Sequence, residues 1–212
     1  MLSTTDRTRL RRSKERGSSD RNDLYEVLDQ GLICHLGVVV DGCPMVVPTG
    51  YGRVGDTLYV HGSTGARSLR AATEGEVCVT VTHVDGIVLA RSVFHHSMNY
   101  RSAIVYGRPR LVTDEEERLI GLRAVTEQIA PGQWDYARRP SRKELAATAV
   151  LALSLEEASV KMRRGAPSDD DEDYALPLWA GVLPLVTTWG EPVPDPVLTD
   201  GIGIPVHIRD RK

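Results

Sequence analysis

The chain has 212 residues and a formal net charge of −3. This length suits one domain with a sizeable core, and the acidic balance argues against a partner made of nucleic acid. A single Phe disfavours binding of single strands on aromatic platforms, and no apolar run is long enough to span a membrane.

Composition divides the chain into three parts. Residues 1–19 are predicted to be a flexible basic arm, because the run RTRLRRSKER has no apolar periodicity and is followed by Gly and Ser. Residues 20–190 are predicted to form the folded domain, and the Pro/Gly-rich residues 191–212 an extended tail. The arm has no signal-peptide core, and the three Cys form no CxxC motif, so we predict a cytoplasmic protein with reduced thiols.

The first predicted element is a helix that begins after Asp20. Leu24, Val27 and Leu28 share one helical face, and Gly31 ends the helix. Short strands follow, because the next apolar runs are separated by turn residues such as Gly55-Asp56.

The next elements are a short helix in GARSLRAATEG and a group of longer strands. Asp85-Gly86 is predicted to be a hairpin turn between EVCVTVTHV and GIVLARSVFHHS, and NYRSAIVYGRPRLV to be a further strand. An amphipathic helix is predicted in TDEEERLIGLRAVTEQIAPG, where acidic residues in the first turn favour the helix dipole.

The C-terminal third of the domain is predicted to contain a helix near SRKELAATAV and a strand in VLALSLEEASVKMRRG. The run SDDDED is predicted to be a solvated loop. Short strands closed by tight turns, with few helices, indicate a mainly β (α+β) protein, an antiparallel barrel with peripheral helices.

The segment HGSTGAR carries the clearest ligand signal. It is predicted to end a strand at His61 and to open a helix after Ser63, with Arg67 in the first turn. Unpaired N–H groups at a helix N-terminus attract phosphate, and a guanidinium with hydroxyls completes such a site. The alternative is an ordinary turn followed by exposed helix charges.

Two strands carry unusual polar or Pro residues. Ser97, Asn99 and Arg101 alternate onto one face of a predicted strand, which indicates either a ligand or a face towards solvent. Pro48 cannot donate to a sheet, so it suits either a strand interrupted beside a ligand or an ordinary edge strand. We predict no metal site, since adjacent His95 and His96 would face opposite sides of a strand.

Four segments carry a family resemblance: VVPTGYG, HGSTGAR, HHSMNYRSAIVYGRPRLV and, near the C-terminus, LWAGVLPL. Through them, the chain resembles the FMN-binding split-barrel proteins of the pyridoxamine 5′-phosphate oxidase-like superfamily. Within it, the chain is most similar to the flavin-nucleotide-binding branch related to nitroimidazole-resistance reductases. The resemblance implies an antiparallel split β-barrel and FMN as cofactor. It also implies cofactor-binding residues, namely Val47, Pro48, Thr49, His61, Ser63, Arg67, Ser68, Ser97, Asn99, Arg101 and Trp179.

The resemblance predicts an FMN-dependent oxidoreductase acting on a small molecule, with His61 as the candidate catalytic residue. A non-catalytic flavin-binding or sensing protein is one alternative. Another is a split-barrel protein that binds deazaflavin F420 or haem, with His61 or the His95–His96 pair as haem ligand. The characteristic Arg-x-x-Pro ending of the true oxidases has no match here, which argues against oxidation of vitamin B6.

A homodimer with FMN at the subunit interface is also predicted. The run LWAGVLPLVTTW carries two Trp in a chain poor in aromatic residues, and Trp is enriched at interfaces. In the resembling family, an aromatic residue at the position of Trp179 reaches the flavin site of the partner subunit. The alternative is that Trp179 is a core residue.

Overall fold

The computed structural model describes residues 1–2 and 4–211, which form two antiparallel sheets with helices around them. The helices are α1 Arg21–Gln30, α2 Arg67–Glu74, α3 Glu115–Ile129, α4 Gln133–Tyr136, α5 Arg142–Ala147 and α6 Val206–Arg209. The strands are β1 Gly17–Ser18, β2 Cys34–Val40, β3 Cys43–Thr49, β4 Tyr51–Val54, β5 Thr57–Ser63, β6 Val77–Leu89, β7 Ser97–Gly107, β8 Arg110–Leu111, β9 Thr148–Ser154, β10 Glu157–Arg163 and β11 Gly181–Pro184.

The larger sheet has the order β1-β10-β7-β6-β2-β3, with β11 paired to the far part of β6, and the smaller sheet has the order β4-β5-β9-β8. Gly50 separates β3 in the first sheet from β4 in the second, so the chain passes directly from one sheet to the other. The predicted fold class, a mainly β antiparallel split barrel with peripheral helices, is confirmed.

The main core lies between the two sheets and α1. Leu24, Val27 and Leu28 of α1 are fully buried, as the helical spacing predicted, and the Asp20 side chain accepts a hydrogen bond from Asn22 N at the start of the helix. α3 covers the outer face of the smaller sheet. A Cβ on Gly52 would stand 2.2 Å from the carbonyl carbon of Ala124, so this contact requires glycine.

The predicted hairpin at Asp85-Gly86 is wrong. β6 runs through both residues as one strand of 13 residues, and the register shifts between Val84 and Gly86 as a β-bulge. The Asp85 carboxylate accepts hydrogen bonds from Arg101 on the neighbouring strand at 2.8 and 3.0 Å, which offers a physical reason for the bulge. Conversely, VLALSLEEASVKMRRG forms two strands, β9 and β10, rather than one.

Both ends of the chain pack against the domain. In the N-terminal arm, Leu2 is buried and Gly17–Ser18 pairs with β10. Arg7 forms ion pairs with Glu76 and Glu157. The arm predicted to be flexible therefore lies on the sheet. The tail predicted to be extended carries α6, where His207 Nε2 lies 2.9 Å from Gln133 Oε1 of α4. Within residues 1–2 and 4–211, no helix combines the length and apolarity required to cross a bilayer.

Candidate functional site

Residues 63–68, which we call the phosphate loop, are held rigidly between β5 and α2. Thr64 N donates to the carbonyl oxygen of Ala147 at 3.0 Å, and Ala66 N donates to that of Ser63 at 2.9 Å. The Ser63 hydroxyl accepts a hydrogen bond from Gly65 N at 3.2 Å. The loop is therefore shaped by backbone contacts, and the first turn of α2 faces outwards from it.

The N-terminus of α2 has no side-chain cap. Ala66 occupies the cap position, whereas Asp20, Asp114 and Ser141 accept hydrogen bonds from the first turns of α1, α3 and α5. The first N–H groups of a helix lack intrahelical partners and carry the positive end of its dipole. The first turn of α2 thus presents donors that an anion can satisfy.

Arg67 stands in the first turn of α2 and forms an ion pair with Asp41. The two side chains are 60% and 80% exposed, so this pair contributes little to stability and the guanidinium can change partners at small cost. Ser68, the next residue, is half-buried in the same turn. Arg67, Ser68 and the uncapped backbone thus lie together in one turn, and their role in binding phosphate stays a prediction.

His61 lies on the outer face of the smaller sheet, two residues before Ser63. It pairs with Val150 of β9, and it shares a face with Tyr59, whose side chain packs against α3. His61 Nδ1 is buried and, within the described part of the chain, has no hydrogen-bond partner. Burial lowers the pKa of His61 and favours the neutral imidazole.

Val47, Pro48 and Thr49, which the resemblance assigns to the cofactor, end β3 just before the strand that pairs with β5. β3 is the edge strand of the larger sheet, with Pro48 exposed and Val47 and Thr49 half-buried. Extending the β4–β5 register by one residue places Gly50, which follows Thr49, opposite His61. The end of β3, His61 and the phosphate loop therefore form one group of predicted site residues.

The polar residues of β7 form a second group. Arg101 lies in an ion-pair network, with its guanidinium 2.8 Å from Asp85 and 3.6 Å from Glu26. Asn99 Oδ1 accepts a hydrogen bond from Arg163 at 2.6 Å. The Asn99 amide nitrogen donates to the carbonyl oxygen of Gly165, in the loop after β10. Ser97 begins the strand and is half-buried. Asn99 and Arg101 thus have structural partners within the protomer.

The phosphate loop and the polar residues of β7 lie towards different ends of the β6–β7 pair. Gly107, at the other end of β7, pairs with Val77, which begins β6 just after α2. Arg101 precedes Gly107 by six residues, which corresponds to about 20 Å along a strand. The end of β3 is nearer to this group along the sheet, because the registers of β3, β2, β6 and β7 place Thr49 about level with Ala103, two residues from Arg101.

The acidic segment predicted to be a solvated loop contains a buried anchor, Asp169. Its carboxylate accepts hydrogen bonds from Arg91 N at 2.8 Å and Ser92 N at 3.1 Å, and the Arg91 guanidinium lies 3.1 Å away. Burial alone would raise the pKa of Asp169, but the hydrogen bonds from Ser92 and Arg91 bring it below its usual value. Asp169 fixes the acidic segment to the turn that carries the two adjacent His residues.

His95 and His96 lie in and after a short 3-10 turn rather than on a strand. His95 Nε2 is 3.2 Å from Asp170 Oδ2, and the ligand atoms of His95, Asp170 and Asp173 lie within 4.8 Å of one another. Exposed groups of this kind are common without an ion. His96 Nδ1 lies 3.1 Å from the carbonyl oxygen of Ser92 and 3.3 Å from Ala90 N, and the His96 side chain is exposed.

An exposed apolar surface surrounds β11. Trp179 is 69% exposed, with its six-membered ring near Gly181, so it is not a core residue of the protomer. The other large apolar side chains around β11 and the His95–His96 turn are also exposed, namely Ile87, Val93, Phe94, Met98, Leu183, Leu185 and Val186. We call this the β11 surface.

Sequence reasoning did not find a cavity of about 390 Å³ beside the phosphate loop. α2, β8, β9 and the ends of α3 and α5 contribute its walls, so no continuous segment carries its signal. Leu69, Leu111 and Leu151 provide apolar surface, and Arg70 and Arg118 provide charge. We call this the α2–β9 cavity.

The fold is that of a split-barrel protein, and the first turn of α2 carries the candidate anion site. The family model described as pyridoxamine 5′-phosphate oxidase matches residues 20–162, and the chain belongs to this family. A comparison with curated proteins gave no significant match.

Two solved structures are similar over nearly their whole length. A flavocytochrome from Azotobacter vinelandii is 37% identical, with a TM-score of 0.94 and coverage of 100% of this chain and 99% of that one. The FAD and heme binding protein from Mycobacterium smegmatis is 42% identical, with a TM-score of 0.88 and coverage of 92% and 97%. The fold is shared with a proposed 5-nitroimidazole antibiotic resistance protein from Bacteroides thetaiotaomicron. That protein is 22% identical, with a TM-score of 0.59 and coverage of 68% of this chain and 85% of that one.

The residues present fit both kinds of group named in these descriptions. The phosphate loop offers an uncapped helix turn and the easily released Arg67 to a flavin phosphate. His61, with an orphaned buried Nδ1, and the exposed His96 offer imidazoles to a planar cofactor.

Proposed function

We propose that this chain is a redox protein that binds a flavin and a haem. The observation that carries the proposal is its similarity along the whole chain to the flavocytochrome and to the FAD and heme binding protein. When bound, a flavin supplies hydride or single-electron transfer, and a haem supplies one-electron chemistry. The protein binds and orients these groups and excludes water from them.

The phosphate loop supports the flavin part of the proposal. Arg67 leaves Asp41 to bind the phosphate, the first N–H groups of α2 donate to it, and Ser68 adds a hydroxyl. The sequence predicted FMN, which carries one phosphate group. A flavin needs at least one phosphate group to bind to this loop. Burial lowers the pKa of His61, and the β4–β5 register places this neutral imidazole opposite Gly50, next to the predicted cofactor-binding residues of β3.

His96 is the haem ligand that the geometry favours. His96 Nδ1 lies near both Ala90 N and the carbonyl oxygen of Ser92, so the backbone orients the ring through Nδ1 and leaves Nε2 as the nitrogen that would bind a metal when it carries no proton. The exposed side chains of Val93, Phe94 and Met98 offer the apolar surroundings that a porphyrin requires. His95 is less suitable because its Nε2 already faces Asp170.

We also propose that the protein forms a homodimer with the flavin at the subunit interface, and that it acts in the cytoplasm on a small molecule. The separation of the phosphate loop from the polar residues of β7 and the exposed β11 surface support the dimer. This arrangement lets Ser97 and Trp179 of one protomer approach the phosphate loop of the other.

Absorption spectroscopy of the purified protein, with mass analysis of the released cofactors, tests the proposal. We expect flavin bands and a haem Soret band, with the Soret band lost in His96→Ala but kept in His95→Ala and His61→Ala. A protein that binds neither group on reconstitution would contradict the proposal, and loss of the Soret band in His95→Ala alone would move the ligand to His95. Reduction by NADH or NADPH followed by multiple turnovers would separate an enzyme from a sensor.

A further inference from the structure

The α2–β9 cavity is large enough for part of a ligand and lies beside the phosphate loop. Its volume of about 390 Å³ falls within the range of small-molecule sites. Thr64 belongs to both the loop and the cavity wall, and Thr148, another wall residue, pairs with Ser63 across β5 and β9. A ligand phosphate on the loop therefore lies next to the mouth of the cavity.

The charge of the cavity selects an anion. Arg70 and Arg118 line it, and none of its described wall residues is Asp or Glu. Arg70 is exposed and its side chain has no hydrogen bond or ion pair with any residue in the described ranges. Arg118 donates to the carbonyl of Thr148 at 3.1 Å and to that of Leu145, neither of which neutralises its charge.

The remaining walls suit a planar, weakly polar group. Leu111 is 49% exposed and offers most of the apolar surface, whereas Leu69 and Leu151 form the inner wall of the cavity and belong to the main core. The hydroxyls of Thr73 and Thr148 add groups that can donate or accept hydrogen bonds. A nucleotide has both features that these walls suit, because its phosphate is an anion and its base is a flat ring.

We propose that the α2–β9 cavity binds the adenylate half of FAD, with Arg70 on its phosphate and the adenine against Leu69, Leu111 and Leu151. This inference rests on the proposed flavin binding and deepens it, because it makes FAD rather than FMN the preferred flavin. The phosphate loop then holds the flavin-side phosphate, and the cavity receives the second phosphate and its nucleoside.

Titration of the flavin-free protein with FMN and with FAD tests this proposal. We expect FAD to bind at least about tenfold more tightly than FMN, the effect of one charge-assisted contact and the buried adenine. Arg70→Gln should weaken FAD about tenfold and leave FMN unchanged. Arg108→Gln is the matched control, because Arg108 is exposed, lies outside the cavity and has no ion pair within the described residues.

A second arm uses AMP as the probe. AMP should bind the FMN-loaded protein and fail to bind the FAD-loaded protein, and Ala146→Trp, which fills the exposed rim of the cavity, should abolish AMP binding. Equal affinity for the two flavins, or equal AMP binding to both loaded forms, would overturn the adenylate assignment while leaving flavin binding intact. Failure of both flavins to bind would instead overturn the proposed function, and this proposal with it.

Discussion

Arg67 combines a predicted ligand role with a weak structural one. Among residues 1–2 and 4–211 its one ion pair is with exposed Asp41, so Arg67→Ala should leave the fold stable yet weaken flavin binding by about 1.5–3 kcal/mol, the range for a charge-assisted hydrogen bond. Titration calorimetry of the flavin-free protein measures the difference. Asp41→Asn is the control: it frees the guanidinium and should bind flavin at least as tightly as the wild type.

The dissociation constant decides between two roles for this residue. A folded Arg67→Ala variant with unchanged affinity would make Arg67 an ordinary exposed helix charge. The phosphate would then be held by the backbone of α2 and Ser68 alone.

His61 should also give the protein a measurable pH dependence. Burial lowers its pKa in the folded state, so its favourable contribution to stability is complete above the unfolded value of about 6.5 and is lost as the pH falls below that value. Urea unfolding of flavin-free wild type and His61→Gln should therefore diverge below about pH 6.5, with the wild type losing more stability. Curves that stay parallel down to pH 5 would mean that His61 titrates normally.

At the scale of elements, the close contact of α3 with β4 depends on Gly52. A Cβ there would stand 2.2 Å from the carbonyl carbon of Ala124 and 2.5 Å from Val125 N, so backbone rather than a flexible side chain must move. Gly52→Ala should lower the free energy of unfolding by about 1–3 kcal/mol. Gly190→Ala, with no atom within 4 Å of the added Cβ, is the neutral control.

Elements with a strong local signal were predictable from the sequence. α1 follows its cap at Asp20 and the spacing of Leu24, Val27 and Leu28, which needs no tertiary information. Asp85-Gly86 was misread because the dipeptide is a good turn signal, whereas the ion pair with Arg101 on another strand accompanies a bulge instead. Long-range pairing of this kind is not visible in a single sequence.

The same distinction applies to the site. The phosphate loop is one continuous segment with typical chemistry, so the sequence alone could single out its residues as a candidate site. Asp169 was missed because a buried carboxylate in an acidic run looks like its solvated neighbours until its partners Arg91 and Ser92 are known. The α2–β9 cavity is formed by five separate elements and has no linear pattern at all.

On the scale of the whole molecule, the proposed dimer would join two parts of the site that lie far apart in one protomer. The phosphate loop lies at one end of the β6–β7 pair, and Ser97, the His95–His96 turn and the β11 surface lie at the other. Twofold symmetry is the commonest way to bring opposite ends of identical chains together, and it creates two equal sites at once. The exposed Trp179 supports this arrangement, since Trp is enriched at interface centres.

The dimer can be tested through the β11 surface. Leu183 is 60% exposed on β11, so Leu183→Asp should leave the protomer folded but place a charge in the proposed interface, and we expect it to shift the protein from dimer to monomer in light scattering. Val193→Asp, at a residue that is 91% exposed in the tail, should remain dimeric.

Because the flavin would bind only the assembled site, adding flavin should raise the wild-type melting temperature and strengthen the dimer. The Leu183→Asp protein should bind flavin weakly. A monomeric wild type that still holds flavin tightly would exclude an interface site and require one protomer to bind the cofactor alone.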